Sequence, residues 1–141
     1  MRCSEIMSTV VERTSLRDTV QHAAVCMRDR NIGILPVSDP MGRILGVVTD
    51  RDIAVRVVAA GKPPTTLVED AMTREVISCA PDAEIEEAEE LMARHRKSRI
   101  LCMGADDRPV GVISLSDIAR HRPVDQASQT LRSVSQREAQ V

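Results

Sequence analysis

The sequence predicts an α/β (α+β) fold of two β-α-β-β-α repeats packed sheet to sheet with pseudo-twofold symmetry, and three observations lead there. The 141-residue chain slides onto itself at an offset of 65 residues without a gap. Each copy alternates short apolar β-type runs with stretches whose apolar residues recur at helical spacing. Between the copies lies Ala59-Ala60-Gly61-Lys62-Pro63-Pro64, where glycine ends a helix and two prolines prevent its continuation. Residues 1–61 then form the first repeat, 62–65 the linker, 66–122 the second repeat and 123–141 a polar C-terminal tail. Each half is too small to cover both faces of its own sheet, which is why the two should pack sheet to sheet.

The register rests on identities at Met7/Met72, Val11/Val76, Ala23/Ala88, Met27/Met92, Arg43/Arg108, Gly46/Gly111, Val47/Val112, Asp52/Asp117, Ile53/Ile118 and Ala54/Ala119. A short apolar strand, Val10-Val11 or Val76-Ile77, is expected to open each copy. A helix follows, marked by Leu16, Val20, Ala23, Ala24 and Met27 in the first copy and by Ile85, Ala88, Leu91 and Met92 in the second. The acidic run Glu84 to Glu90 reads as that helix's solvated face, and His95 and Arg96 at its end complement the dipole. Two β runs come next: Ile34–Val37 and Arg43–Val48 around the turn formers Ser38-Asp39-Pro40-Met41-Gly42, then Arg99–Met103 and Pro109–Ile113. A second helix begins at about Asp50 and at Leu115. In the tail, Val124, Ala127, Leu131 and Val134 fall at helical spacing, which leaves a docked helix and a frayed end both open.

Composition removes several functions. The chain has no Phe, Trp or Tyr although 43% of it is hydrophobic, so aliphatic residues, Met and Cys must build a core that buries roughly 68–70% of the unfolded surface. Without aromatic rings there are no stacking platforms for single-stranded nucleic acid and no cages for quaternary ammonium groups. Nineteen Lys plus Arg against 21 Asp plus Glu, a formal charge of −2, give no basic field for phosphodiesters, so no nucleic-acid partner is expected. No apolar run approaches the ~20 residues that span a bilayer, and no basic-then-apolar segment opens the chain, so no membrane partner and a cytoplasmic setting are expected. Cys3, Cys26, Cys79 and Cys102 form no CxxC pair and have no histidine at ligand spacing, so no metal is expected. They read as buried small hydrophobes, with Cys3 the most exposed. His22 and His121 read as surface residues.

The chemistry concentrates where the third strand of each copy meets the second helix, at Gly46-Val47-Val48-Thr49-Asp50-Arg51-Asp52 and Gly111-Val112-Ile113-Ser114-Leu115-Ser116-Asp117. Thr49-x-x-Asp52 and Ser114-x-x-Asp117 fit a capping box, in which hydroxyl and acid satisfy free backbone N–H groups. The same junction offers N–H donors to a phosphate, Arg51 adds a charge-assisted contact, and a carboxylate beside them can accept both ribose hydroxyls. Spacing alone leaves both readings open.

The gapless double copy, the Gly-h-h-Thr/Ser-x-x-Asp motif in both halves, the Ile34-Leu35-Pro36-Val37 strand, and the lead-ins Glu5-Ile6-Met7 and Asp70-Ala71-Met72 together resemble a tandem pair of cystathionine-β-synthase (CBS) domains, or Bateman module, over about residues 1–122. The likeness is to short, stand-alone bacterial CBS-pair proteins. It implies ribose contacts by Asp52 and Asp117 and phosphate contacts by Thr49 and Ser114. It also implies an apolar base slot across Val11 to Ser15, Ile34 to Val37 with Pro36, Ile77 to Ala80 with Cys79, and Ile100 to Cys102. Arg99 then reaches a phosphate. The second copy departs from the family pattern at Leu101, at Leu115-Ser116 and in lacking a histidine before Arg99, which favours the site holding Thr49, Arg51 and Asp52. The implied function is a regulatory module that binds an adenine nucleotide of the AMP, ADP or ATP class between its repeats and signals to a partner protein. No catalytic cofactor is implied, and with no P-loop, triad or metal cluster no enzyme reading follows. The alternative is a ligand-free interaction module acting as a homodimer. Lacking rings, the site must hold adenine between aliphatic side chains and backbone, so affinity leans on ribose and phosphate.

Overall fold

The computed structural model describes residues 1–136; the last five residues of the 123–141 tail lie outside them. The chain forms two compact units, one of Glu12–Val76 and the other of Met1–Val11 together with Ile77 onward. The first holds β1 (Thr14–Ser15), α1 (Val20–Arg30), β2 (Ile34–Ser38), β3 (Ile44–Thr49) and α2 (Asp50–Ile53), which continues as a π-helical turn over Ala54–Val58. The second holds β4 (Ser78–Cys79), α3 (Ile85–His95), β5 (Arg99–Met103), β6 (Pro109–Ser114), α4 (Leu115–His121) and α5 (Val124–Ser135). Each has a three-stranded sheet, ordered β1-β2-β3 or β4-β5-β6, in which the first pair is parallel and the second antiparallel. Among the described residues this is a mixed α/β fold with two small sheets and five α-helices.

The 65-residue offset of the sequence is an offset of structure. α1 maps onto α3, β2 onto β5 and β3 onto β6 with identical bounds after the shift. α1 buries Val20, Ala23 and Met27, and α3 buries the equivalent Ile85, Ala88 and Met92. Ala24, counted with the apolar face in sequence, is exposed. Both helices end on a left-handed residue, Asn31 and Arg96, each with φ of 54°. β2 and β5 are the central strands and are buried over most of their length, whereas β3 and β6 alternate buried with half-exposed residues, as strands with one face on the core do. Gly61, at φ 71°, closes the first repeat's last helical turn as expected of a glycine before two prolines.

The opening strands differ from the sequence expectation. Val10-Val11 and Val76-Ile77 are not strands; β1 and β4 lie just beyond them, two residues each. Both apolar pairs sit where the chain passes from one unit to the other and fall outside the strand ladders, with Ile77 giving β5 only its carbonyl and Val10 72% exposed. Pro36 explains why β1 starts one position later than β4. Its counterpart Leu101 donates its N–H to Ile77 O at 3.4 Å and pairs with Ser78, but proline has no N–H to give, and the first ladder begins at Thr14–Val37.

The lead-in of each copy packs in the unit formed mainly by the other. Met1–Val11 joins the unit of Ile77 onward through the bridges Arg2–Glu84 and Ser8–Val112. The equivalent stretch of the second copy joins Glu12–Val76 through Thr19–Leu67 and Val47–Thr73. Two of the sequence identities follow from this exchange. A side chain at Gly111 would strike Met7, and one at Gly46 would strike Met72 and the Thr73 carbonyl. Cys3, expected to be the most exposed cysteine, is fully buried, because the short 3-10 turn Cys3–Glu5 is pinned by Cys3 N–H to Ala83 O at 2.9 Å.

The tail is helical through Ser135. α5 turns Ala127, Thr130 and Val134 inward and leaves Val124 and Leu131 out, so the inward stripe is only half the apolar set read from sequence. Glu89 also departs from the solvated face assigned to the acidic run. Its carboxylate accepts from Arg122 Nε at 2.9 Å and Thr130 Oγ1 at 3.0 Å, and both Glu89 and Arg122 side chains are 11% exposed.

Candidate functional site

In each unit the edge strand runs directly into a helix. Thr49 ends β3 and caps α2; Ser114 ends β6 and caps α4. Strand pairing sets Ile34 opposite Thr49 and Arg99 opposite Ser114, so Ile34 and Arg99 are equivalent positions. The start of each helix is tied back to the preceding hairpin by Asp50 N–H to Gly33 O and Leu115 N–H to Ser98 O, both 3.0 Å.

At the first junction the capping box is complete. Asp52 N–H donates to Thr49 Oγ1 at 3.0 Å, and Thr49 N–H donates to Asp52 Oδ2 at 3.0 Å. The Thr73 hydroxyl lies 3.3 Å from both Asp52 oxygens, and Arg56 Nε approaches Oδ1 at 3.8 Å. Arg56 in turn donates to Ala71 O at 3.3 Å and Met72 O at 2.8 Å, so this acid, this arginine and the second lead-in form one network. Arg51 is exposed at the helix start.

At the second junction Ser114 N–H and Oγ donate to Asp117 Oδ2 at 2.9 and 3.0 Å, while Asp117 N–H donates to Ser114 Oγ at 3.3 Å. Arg120 Nη2 donates to Asp117 Oδ1, and the His121 ring nitrogen Nδ1 lies 2.9 Å from Asp117 O. A carboxylate has about four lone-pair positions. Asp52 Oδ1 has only a 3.3 Å hydroxyl and a 3.8 Å guanidinium beside it, whereas Asp117 Oδ1 carries a direct charge-assisted bond. Asp52 therefore has more acceptor capacity left.

The structure thus brings Thr49, Arg51, Asp52 and Ile34 together in one unit, and Arg99, Ser114 and Asp117 together in the other. Pro36 is buried two residues along β2 from Ile34. Cys79 turns its sulfur into the core beside Cys3 and Cys102, and Ala80 next to it is exposed. Sequence reasoning missed Thr73, Arg56 and Arg120. The spacing of Arg56 four residues after Asp52, and of Arg120 three after Asp117, was a usable signal on a helix; the approach of Thr73 depends on the exchanged lead-in and had none.

Comparison with known proteins agrees with the resemblance read from the motifs. The model of the CBS domain matches twice, over residues 3–59 and 68–124. The CBS domain-containing protein YhcV of Bacillus subtilis is 36% identical over 115 residues, covering 82% of this chain and 81% of its own. The solved CBS domain pair of protein MJ0100, in complex with 5'-methylthioadenosine and S-adenosyl-L-methionine, superposes with a TM-score of 0.77 at 25% identity, covering 85% of this chain and 94% of its own. Hypoxic Response Protein I, solved with two coordinated zinc ions, superposes with a TM-score of 0.78 at 31% identity over 87% of this chain and all of its own. Among the described residues of the present chain, no group of three or more His, Cys, Asp or Glu is placed to hold a metal, and no helix is long and apolar enough to cross a membrane. With two family matches and this coverage, the chain belongs to the CBS-domain family and carries its domains as a tandem pair.

Proposed function

We propose that this chain is a cytoplasmic regulatory module that binds an adenine nucleotide of the AMP, ADP or ATP class and passes its occupancy to a partner protein. One observation carries the reading: at the end of β3 a hydroxyl, a carboxylate with spare acceptor capacity and an exposed arginine converge, at Thr49, Asp52 and Arg51. That set suits a ribose with its attached phosphate: the carboxylate accepts hydroxyl protons, and the guanidinium and threonine hydroxyl donate to phosphate. The MJ0100 pair, solved with two adenosine-containing ligands, supports the adenosine part of this reading. Asp117, held by Arg120, makes the second junction the weaker site, where Arg99 beside Ser114 supplies the phosphate charge. Ligand binding shifts the population of chain conformations, and a partner that prefers one of them reads the change.

The test is thermal stability in about 1 mM AMP, ADP, ATP, 5'-methylthioadenosine or S-adenosylmethionine, since a ligand at ~100 times its dissociation constant adds about 2.7 kcal/mol. At least one should raise the midpoint, and Asp52→Asn should lose most of that rise relative to its own ligand-free value. No response to any of the five removes the reading, and an undiminished response in Asp52→Asn removes Asp52 from it. The exposed Val55 and Val58, at 51% and 70%, favour a second reading, a ligand-free module working as a homodimer. A monomer in sedimentation at micromolar concentration counts against that one.

A further inference from the structure

Three thiols meet in the core of the unit that contains Ile77 onward. Cys3 comes from the opening 3-10 turn, Cys79 from β4 and Cys102 from β5, where Cys79 and Cys102 are register partners. Cys79 Sγ stands 3.6 Å from Cys3 Sγ and 3.8 Å from Cys102 Sγ, and all three are free thiols. Cys26 belongs to the other unit. We propose that Cys3 and Cys79 form a redox clasp, a reversible disulfide that fastens the lead-in Met1–Val11 to β4.

Geometry selects this pair. Closing to the ~2.05 Å of a disulfide requires one sulfur to move by about 1.5 Å. Cys102 sits in the central strand β5, bonded on both sides, and cannot supply that movement without shifting the sheet. Cys3 lies on a terminal turn held by a few backbone bonds, Cys3 N–H to Ala83 O at 2.9 Å and Ser4 N–H to Pro81 O at 2.8 Å among them. It is also the nearer of the two to Cys79.

Reactivity is gated by the same segment. With the lead-in seated, burial pushes the Cys3 thiol up to about 12, and the hydrogen bond to Cys102 together with burial raises Cys79 further. The closed thiols are protonated and shielded, hence inert. Local opening that lifts this segment from Ala83 and Val112 exposes Cys3 and uncovers Cys79. A small disulfide of the glutathione type then serves as oxidant. The Cys79 thiolate attacks one of its sulfurs and releases one thiolate, and the Cys3 thiolate attacks Cys79 Sγ of the mixed disulfide and releases the second. Two electrons pass from the cysteine pair to the small disulfide, and the two thiol protons end on the two released thiols.

The sequence makes the product easy to read, because trypsin places each of the four cysteines on a different peptide. Purified protein is incubated with oxidised glutathione, alkylated, digested without reductant and analysed by mass spectrometry. The peptides of Cys3 and Cys79 should appear joined and two hydrogens lighter than their sum, while Cys102 is alkylated. The oxidised protein should melt higher than the reduced one by roughly 10 °C, since the bond closes a long loop. Cys3→Ser should lose that rise, and Cys102→Ala, which keeps the pair, should retain the joined peptide. A Cys79–Cys102 product, a bridge between two chains, or a Cys3 that stays fully alkylatable overturns the proposal.

Discussion

Asp18 gathers two hydrogen bonds on one carboxylate oxygen. Oδ2 accepts from Thr14 Oγ1 and from Ser15 N–H, each at 2.8 Å, and so fixes the turn between β1 and α1. Burial pushes its carboxyl up, but these two donors and the nearby His22 outweigh it and hold the group below the usual carboxylate range. The fold therefore prefers the ionised form, so Asp18 stabilises above the unfolded value near ~3.9 and loses that contribution as pH falls through its lower folded value. Asp18→Asn is expected to cost about 1–2 kcal/mol near neutrality in urea unfolding, and the deficit should close as pH falls through the lowered folded value. A deficit that stays constant from neutral to strongly acidic pH would show that the charge has no part in it. The second copy has Ala83 at this position, so nothing in the repeat signals Asp18's role; the donors come from β1, whose place the apolar pattern misassigned. The same limit applies at the junctions. The caps at Thr49 and Ser114 were legible from spacing, but whether Asp52 keeps a spare oxygen depends on Thr73, which folding brings from another part of the chain.

α5 shows what an element gains from a single buried charge pair. Its inward stripe, Ala127, Thr130 and Val134, is modest in apolar area, and the helix is anchored at its start by Arg122, which reaches Glu89 at 2.9 Å and Glu86 at 3.1 Å. Removing one member of such a pair strands the other in the low-dielectric interior. Arg122→Ala should cost about 2 kcal/mol, and Arg122→Ala with Glu89→Ala should cost clearly less than the two single changes summed. Additive losses in denaturant unfolding would mean that the pair contributes nothing as a pair. Helical spacing in the tail was visible in sequence, yet the face was not: Leu131 fits the apolar period and lies outside, whereas Thr130 is buried because Glu89 takes its hydroxyl. Elements whose period is dictated by the repeat, α3, β2, β3, β5 and β6, were legible almost to the residue, and α1 was legible apart from Leu16, which lies ahead of its first turn. β1 and β4 were not, since two-residue ladders are placed by what Pro36 cannot donate and Leu101 can.

Across the whole chain, order along the sequence and membership in a compact unit diverge. Met1–Val11 is contiguous with Glu12 but belongs with Ile77 onward, and the second lead-in, through Leu67 and Thr73, serves the unit of Glu12–Val76. Gly111 and Gly46 are the positions where this exchange is tightest, because each lies under a lead-in methionine with no room for a Cβ. A methyl group there meets the lead-in directly and must displace that segment, whose backbone bonds to Val112 and Val47 then weaken. The expected result is a crossed pattern in native-state hydrogen exchange. Gly111→Ala should speed exchange at Ser8 and Val112, whose N–H groups bond each other's carbonyls at 2.9 Å, and leave Val47 and Thr73 as in the parent. Gly46→Ala should do the reverse, speeding Val47 and Thr73, which are joined by bonds of 2.8 Å, and sparing Ser8 and Val112. If Gly111→Ala instead loosens the residues adjacent to the first lead-in in sequence, around Arg13 to Asp18, the lead-in is held by its covalent neighbours rather than by the second copy. The exchange would then be no more than an incidental path of the chain.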